Sequence, residues 1–169
     1  DYSPPSGVYY FRQGAFSQYN GRKLVVSGRK DVDDDLIPFF PARPLEIENA
    51  PELNENRGPL DTTIALMADH TQPFALEAPI EVAPMQNPSP NRFKRVYRAM
   101  SGVLTADPIA MLEARIGSAE WSKELWAHYT EAPPDGRYAL LAQQVVEGLP
   151  DHLQQSPVAK AFAITQWLG

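Results

Sequence analysis

Residues 137–150 read Arg137-Tyr138-Ala139-Leu140-Leu141-Ala142-Gln143-Gln144-Val145-Val146-Glu147-Gly148-Leu149-Pro150. Tyr138, Leu141, Ala142, Val145, Val146 and Leu149 recur at the spacing of one helix face. Gly148 and Pro150 stop that helix, since proline cannot continue the ladder. Upstream, Pro133-Pro134-Asp135-Gly136 separates it from an earlier helical pattern. There Ser118 is a candidate cap for a helix carrying Trp121, Leu125, Trp126 and Tyr129. Downstream, Ser156-Pro157 opens a third helix, with serine as N-cap and proline at the first helical position. Val158, Ala161, Phe162, Ile164 and Trp167 give it an apolar side. The last third of the chain therefore reads as helix after helix.

The rest reads differently. Of the 17 prolines, 13 lie at or before Pro108. Proline removes a backbone donor and clashes with the preceding turn, so long helices are excluded there. Aromatics favour strands at Val8-Tyr9-Tyr10-Phe11 and Ala15-Phe16-Ser17-Gln18-Tyr19. Asn20-Gly21 is a hairpin turn signal, and Lys23-Leu24-Val25-Val26 is the expected return strand. Thr62-Thr63-Ile64-Ala65-Leu66-Met67 and Pro73-Phe74-Ala75-Leu76 read as two short strands joined by Asp69-His70-Thr71-Gln72. Glu77 to Val82 alternates, Phe93, Arg95 and Tyr97 share a face, and Gly102 to Thr105 and Ile109 to Ile116 are further strand candidates, although Met111-Leu112-Glu113-Ala114 also suits a helix. The predicted fold class is α+β. An antiparallel, β-rich, sandwich-like N-terminal region over 1–117 precedes a few C-terminal helices over 118–169.

Between the first hairpin and Asp61 lies a long Pro/Asp-rich loop, residues 28–60, without useful periodicity. Leu36-Ile37 and Phe39-Phe40 predict that it packs over the sheet, and Leu45-Glu46-Ile47-Glu48 reads as a short strand.

The whole chain has 169 residues, 43% of them hydrophobic and 21% charged, which is globular composition. Its net charge is −6, so general binding to nucleic acid or to an anionic membrane is not expected. No apolar run is long enough to cross a bilayer, so no membrane contact is expected of this segment. Cysteine is absent. Disulfides, thiolate-held metals and a cysteine nucleophile are therefore excluded within these residues. The chain begins at Asp1 and ends at Gly169 within a helical pattern, and reads as a piece of a longer protein.

Candidate chemistry is sparse. Asp31, Asp33, Asp34 and Asp35 make a weak calcium candidate, because hard cations want several carboxylates. The run lacks the glycine and distal glutamate of a helix-loop-helix calcium site, and a solvated acidic loop is favoured. His70, His128 and His152 are far apart and lack metal-ligand spacing. Arg92-Phe93-Lys94-Arg95-Val96-Tyr97-Arg98 mixes cations with aromatics and could track phosphates, although the alternation serves a sheet equally well. Tyr9, Phe11, Tyr19 and Tyr97 are the candidates to face a glycan or peptide ligand if the strands form a concave sheet, although aromatic residues in strands are more often core. No catalytic set, cofactor site or phosphate loop is expected.

Two parts of the chain carry a family resemblance. Tyr10-Phe11-Arg12-Gln13-Gly14-Ala15-Phe16-Ser17-Gln18-Tyr19-Asn20-Gly21 is similar to the stretch that opens the extracytoplasmic region of bacterial transglutaminase-like membrane proteins. That family continues with arginine and tryptophan; here Arg22 is present and the tryptophan is not. Tyr129-Thr130-Glu131-Ala132-Pro133, Arg137 to Val146 and Lys160-Ala161-Phe162-Ala163-Ile164-Thr165-Gln166-Trp167-Leu168 resemble the lead-in to the family's catalytic core. The resemblance implies a Cys-His-Asp core of papain type whose three residues lie beyond Gly169. It implies a non-catalytic accessory region that scaffolds the core and assists a polypeptide or cell-wall substrate. The parent would be membrane-anchored, with this region outside the cytoplasm. Its partner would be the remainder of its own chain, and the closing helices, with Phe162 and Trp167, would invite a homodimer if left uncovered. The alternative is a stand-alone β-sandwich module for glycan or peptide. A third expectation, a hydrolase run by carboxylates, requires two acids facing each other across one pocket.

Overall fold

A computed structural model describes the chain except residues 1, 5–6, 30–31, 34–36, 49, 108, 115, 133 and 169. The chain divides into two compact units, Asp1–Ala106 and Asp107–Gly169. The division falls earlier than the expected boundary at residue 117. The reason is Ile109 to Ile116: the expected strand is instead a 3-10 turn over Ala110–Glu113, and it belongs with the helices.

The first unit is antiparallel β structure. Its strands are β1 (Phe11–Arg12), β2 (Gln18–Tyr19), β3 (Leu24–Val25), β4 (Leu45–Glu46), β5 (Arg57–Leu66), β6 (Ala75–Leu76), β7 (Ala78–Pro84) and β8 (Arg95–Leu104). β4, β7, β8 and β5 form a four-stranded sheet in that order. β2 and β3 close the expected hairpin, but its central residues are Gly21 and Arg22 rather than Asn20 and Gly21: the Asn20 N–H donates to the Lys23 carbonyl, and of the expected pair only Gly21 has positive φ, +90°. β1 pairs with β6 in a second two-stranded ribbon. The strands expected at 62–67 and 73–76 are therefore not a hairpin. β5 pairs along its ten residues with β8, from Arg57 opposite Leu104 to Leu66 opposite Arg95.

The period of two explains the layers. In β8, Tyr97, Ala99, Ser101 and Val103 all point to one buried face. In β5 the exposed residues Pro59, Asp61, Thr63 and Ala65 alternate with Leu60, Thr62, Ile64 and Leu66, which are half-buried. Ile37, Ala75, Val82, Tyr97 and Ala99 form the core, with Phe40, Leu45, Ile47, Ile64 and Leu66 packed around it. Ile37 and Phe40 of the Pro/Asp-rich loop pack on the sheet as expected, whereas Phe39, expected to pack with them, is exposed and Leu36 lies outside the described residues. Pro79 and Pro84 are tolerated in β7 because β4 pairs with it only at Val82 and Glu81. A bulge between Pro79 and Glu81 absorbs the remaining irregularity.

The second unit is helical. It holds α1 (Lys123–Tyr129), α2 (Gly136–Glu147) and α3 (Pro157–Leu168). Ser122, not Ser118, caps α1: its hydroxyl accepts the Leu125 N–H at 3.1 Å. Ser118 serves an earlier turn and accepts the Glu120 N–H. Ser156 caps α3 as expected, accepting the Ala159 N–H, while its hydroxyl donates to the Leu112 carbonyl at 2.6 Å. Trp121 packs edge-on to Trp126 and stacks on Tyr129. Gly117 meets these rings at φ of +70°, where a Cβ would lie 2.7 Å from Trp126.

Candidate functional site

The four aromatics expected to face a ligand do not form one row. Tyr9, Phe11 and Tyr19 are exposed, together with Tyr10 and Phe16. Tyr97 is not: only 3% of it reaches solvent. Its hydroxyl accepts the Phe74 N–H at 2.8 Å and donates to the Phe74 carbonyl at 2.9 Å. It therefore fastens the segment before β6 to the core strand β8. Burial pushes the Tyr97 hydroxyl up to about 12, with the Phe74 N–H pulling the other way. Sequence alternation could not separate this outcome from a solvent-facing one, because it gives the face of a residue but not what covers that face.

The acidic run also resolves into structure where it is described. Asp33 is buried and has φ of +59°, a conformation that aspartate tolerates better than most residues. Its Oδ2 accepts the Ser27 N–H at 2.7 Å and the Ser17 N–H at 3.3 Å. Asp33 thus ties the acidic loop to the chain on both sides of the first hairpin. Asp31, Asp34 and Asp35 lie outside the described residues. Among the described residues no three potential metal ligands converge. His70 packs edge-on to Phe74, His128 is buried in the last turn of α1, and His152 is exposed in a 3-10 turn.

One carboxylate not singled out in the sequence is heavily engaged. Glu77 joins β6 to β7 at φ of +50°. Its Oε1 accepts the Tyr2 hydroxyl at 2.6 Å, and its Oε2 accepts the Leu104 N–H at 2.9 Å. The Arg57 guanidinium lies 3.8 Å away and donates to the Gly102 carbonyl. Tyr2 is pushed up to about 12, by burial first and then by its bond to Glu77. Both oxygens of Glu77 are occupied by protein donors, so this carboxylate clamps the N-terminal segment onto β8 and is not poised as a base. Nothing in the local sequence marks it; its side-chain partners come from 20 to 75 residues away.

The first unit carries an open depression of about 230 Å³. Phe40, Pro41, Pro84 and Met85 supply apolar walls, with Lys94 and Arg95 beside them. The Arg95 guanidinium lies over the Phe40 ring at 4.4 Å from its centroid, and Phe40 in turn meets the Tyr97 ring edge-on at 5.4 Å. The cation–aromatic run at 92–98 is the sequence signal for this place. Phe40 was legible only as a packing residue of the loop. Arg98, from the same run, points to the opposite side of β8 and is paired with Glu81 at 2.6 Å and Asp61 at 3.6 Å.

Compared with protein-family models, with curated proteins and with solved structures, the chain matches none.

Proposed function

We propose that this chain is a non-catalytic accessory region of a transglutaminase-like or cysteine-protease-like protein, scaffolding a core that carries the thiol. The observation that carries this reading is the helical unit. Among its described residues Ala159 is the one buried hydrophobic side chain. Tyr138, Leu140, Phe162, Trp167 and Leu168 stand at least half exposed on α2 and α3. A covering surface would bury these side chains. The resemblance of α2 and α3 to the helices that lead into a papain-type core supplies the candidate cover. Acyl transfer by that route needs a thiolate, and the chain has no cysteine. On this reading the region lies outside the cytoplasm, beside a polypeptide or cell-wall substrate. No helix among the described residues is long and apolar enough to cross a membrane, so the anchor would be supplied elsewhere.

The test is the coding sequence beyond Gly169. A Cys-Trp element on a following helix, with histidine and aspartate after it, supports the reading. A continuation without a thiol, or amine incorporation into a glutamine peptide by the purified 169-residue chain alone, overturns it.

The second reading, a glycan- or peptide-binding module, is favoured by the exposure of Tyr9, Phe11 and Tyr19. Replacing Tyr9 and Tyr19 by serine should then abolish retention on an immobilised glycan or peptide. Unchanged retention removes that reading.

A further inference from the structure

The geometry points to the depression at the Phe40–Arg95 stack as a docking site for an acidic peptide segment, with carboxylates on Arg95 and Lys94 and an aliphatic side chain against Phe40, Pro84 and Met85. This inference does not rest on the transglutaminase-like reading. Four observations carry it.

First, the cations are available. Lys94 and Arg95 are exposed, and among the described residues neither is paired with a carboxylate. Arg98 and Arg137, by contrast, are each held by acids. In a chain with net charge −6, these two adjacent cations beside an apolar depression offer local charge complementarity to an acidic segment.

Second, the site is preformed. The Phe40 ring holds the Arg95 guanidinium over its face, so less freedom is lost when the fork meets a carboxylate. The wall between β7 and β8 is pinned too. Asn87 donates to the Phe93 carbonyl at 2.7 Å and accepts the Ser89 N–H at 2.9 Å. The Lys94 N–H donates to the Leu66 carbonyl at 2.8 Å.

Third, the remaining polar side chains are few and partly engaged. The Asn87 amide makes two bonds within its own loop, and the Tyr97 hydroxyl makes two to Phe74. A neutral sugar needs an array of uncharged donors and acceptors, which this lining does not offer. Fourth, the walls are apolar, which a bare inorganic anion would not exploit. Cationic recognition beside an apolar seat matches glutamate or aspartate flanking an aliphatic residue.

The test uses the intact 169-residue chain and the capped peptide Gly-Glu-Leu-Glu-Gly, followed by titration calorimetry and amide chemical shifts. Binding should be detectable up to about 1 mM peptide, and it should weaken as salt is raised. Arg95→Gln should lower the affinity about tenfold, and Lys94→Gln by about threefold. Both side chains are exposed, so the fold should survive either change. Arg22→Gln, on the first hairpin, should leave affinity unchanged. Four outcomes overturn the proposal: no binding in that range, equal binding of the Gly-Gln-Leu-Gln-Gly peptide, an affinity indifferent to Arg95→Gln, or preferential binding of an oligogalacturonate, which would assign the site to an acidic glycan.

Discussion

Tyr97 shows how one residue serves two layers. Its ring meets Phe40 from the core side, and its hydroxyl holds both backbone groups of Phe74. Tyr97→Phe keeps the ring but leaves the Phe74 N–H and carbonyl without that partner. The cost should be about 1–3 kcal/mol, read as a fall in the urea midpoint at neutral pH with an unchanged slope. The same hydroxyl predicts an alkaline response. Tyr97 and Tyr2 are both raised from 10.0 to about 12, so folding favours the neutral phenol. Their contribution is complete below the unfolded value near 10. It is lost as pH rises from there through about 12, because the unfolded chain releases those protons first. Tyrosinate absorbance should therefore show a late-titrating component, and the urea midpoint should drop across that window. Tyr97→Phe should begin less stable and lose less over the same pH interval. A midpoint that stays flat through the window in the unsubstituted chain would count against the buried placement.

Elements show which signals carry through and which do not. α2 was legible because it carries its own punctuation: Asp135 caps it, accepting the Arg137 N–H at 3.0 Å, and its half-buried residues Leu141, Ala142, Val145 and Val146 fall on one face. The first hairpin was legible for the same reason, since Asn20-Gly21 is local chemistry. The pairing of β5 with β8 was not. Strand character is local, but the partner is set by burial, and the residues joined stand 29 to 47 apart in sequence. The two-residue strand β6 is the sharpest case. It reads like half of a hairpin with β5, yet it crosses to β1 because Tyr97 and the core face of β8 hold Phe74 and Ala75 in place. The groove was half legible: its cations lie in one run, while Phe40 arrives from a loop without periodicity. At this scale the cap of α2 is testable. The Arg137 side chain and backbone both bond to Asp135 and hold its carboxyl below the usual carboxylate range. A depressed acid stabilises above its unfolded value and stops doing so as pH falls through its folded one. Helical ellipticity at 222 nm should therefore decline on acidification, and Asp135→Ala should lower it at neutral pH and flatten its acid limb. Asp135→Asn should retain more helix than Asp135→Ala, because the amide oxygen still accepts the Arg137 N–H.

At the scale of the whole molecule, the two units differ in what they can bury alone. Every residue of the hydrophobic core, from Ile37 to Ala99, belongs to the first unit. That unit also holds its own fasteners: the Tyr97–Phe74 bonds, the Glu77 clamp and the Asp33 tie are all internal to it. The second unit contains amphipathic helices with good caps, but caps only start helices. Short helices are stabilised chiefly by packing an apolar face, and here the packed positions are half-buried rather than closed off. A chain of about 60 residues is already near the lower limit for independent folding. The expected result is an asymmetry on dissection. Residues 1–106 should unfold cooperatively in urea, with dispersed amide shifts and a sigmoidal melt. Residues 107–169 should keep partial helix by circular dichroism, bind a hydrophobic dye and melt without a sharp transition. Phe162→Ser with Trp167→Ser should reduce the dye signal without reducing helicity, because those side chains are exposed rather than packed. The opposite pattern, a cooperative helical unit that excludes dye, would mean that its exposed apolar side chains need no cover, and the scaffolding role assigned to them would lose its physical basis.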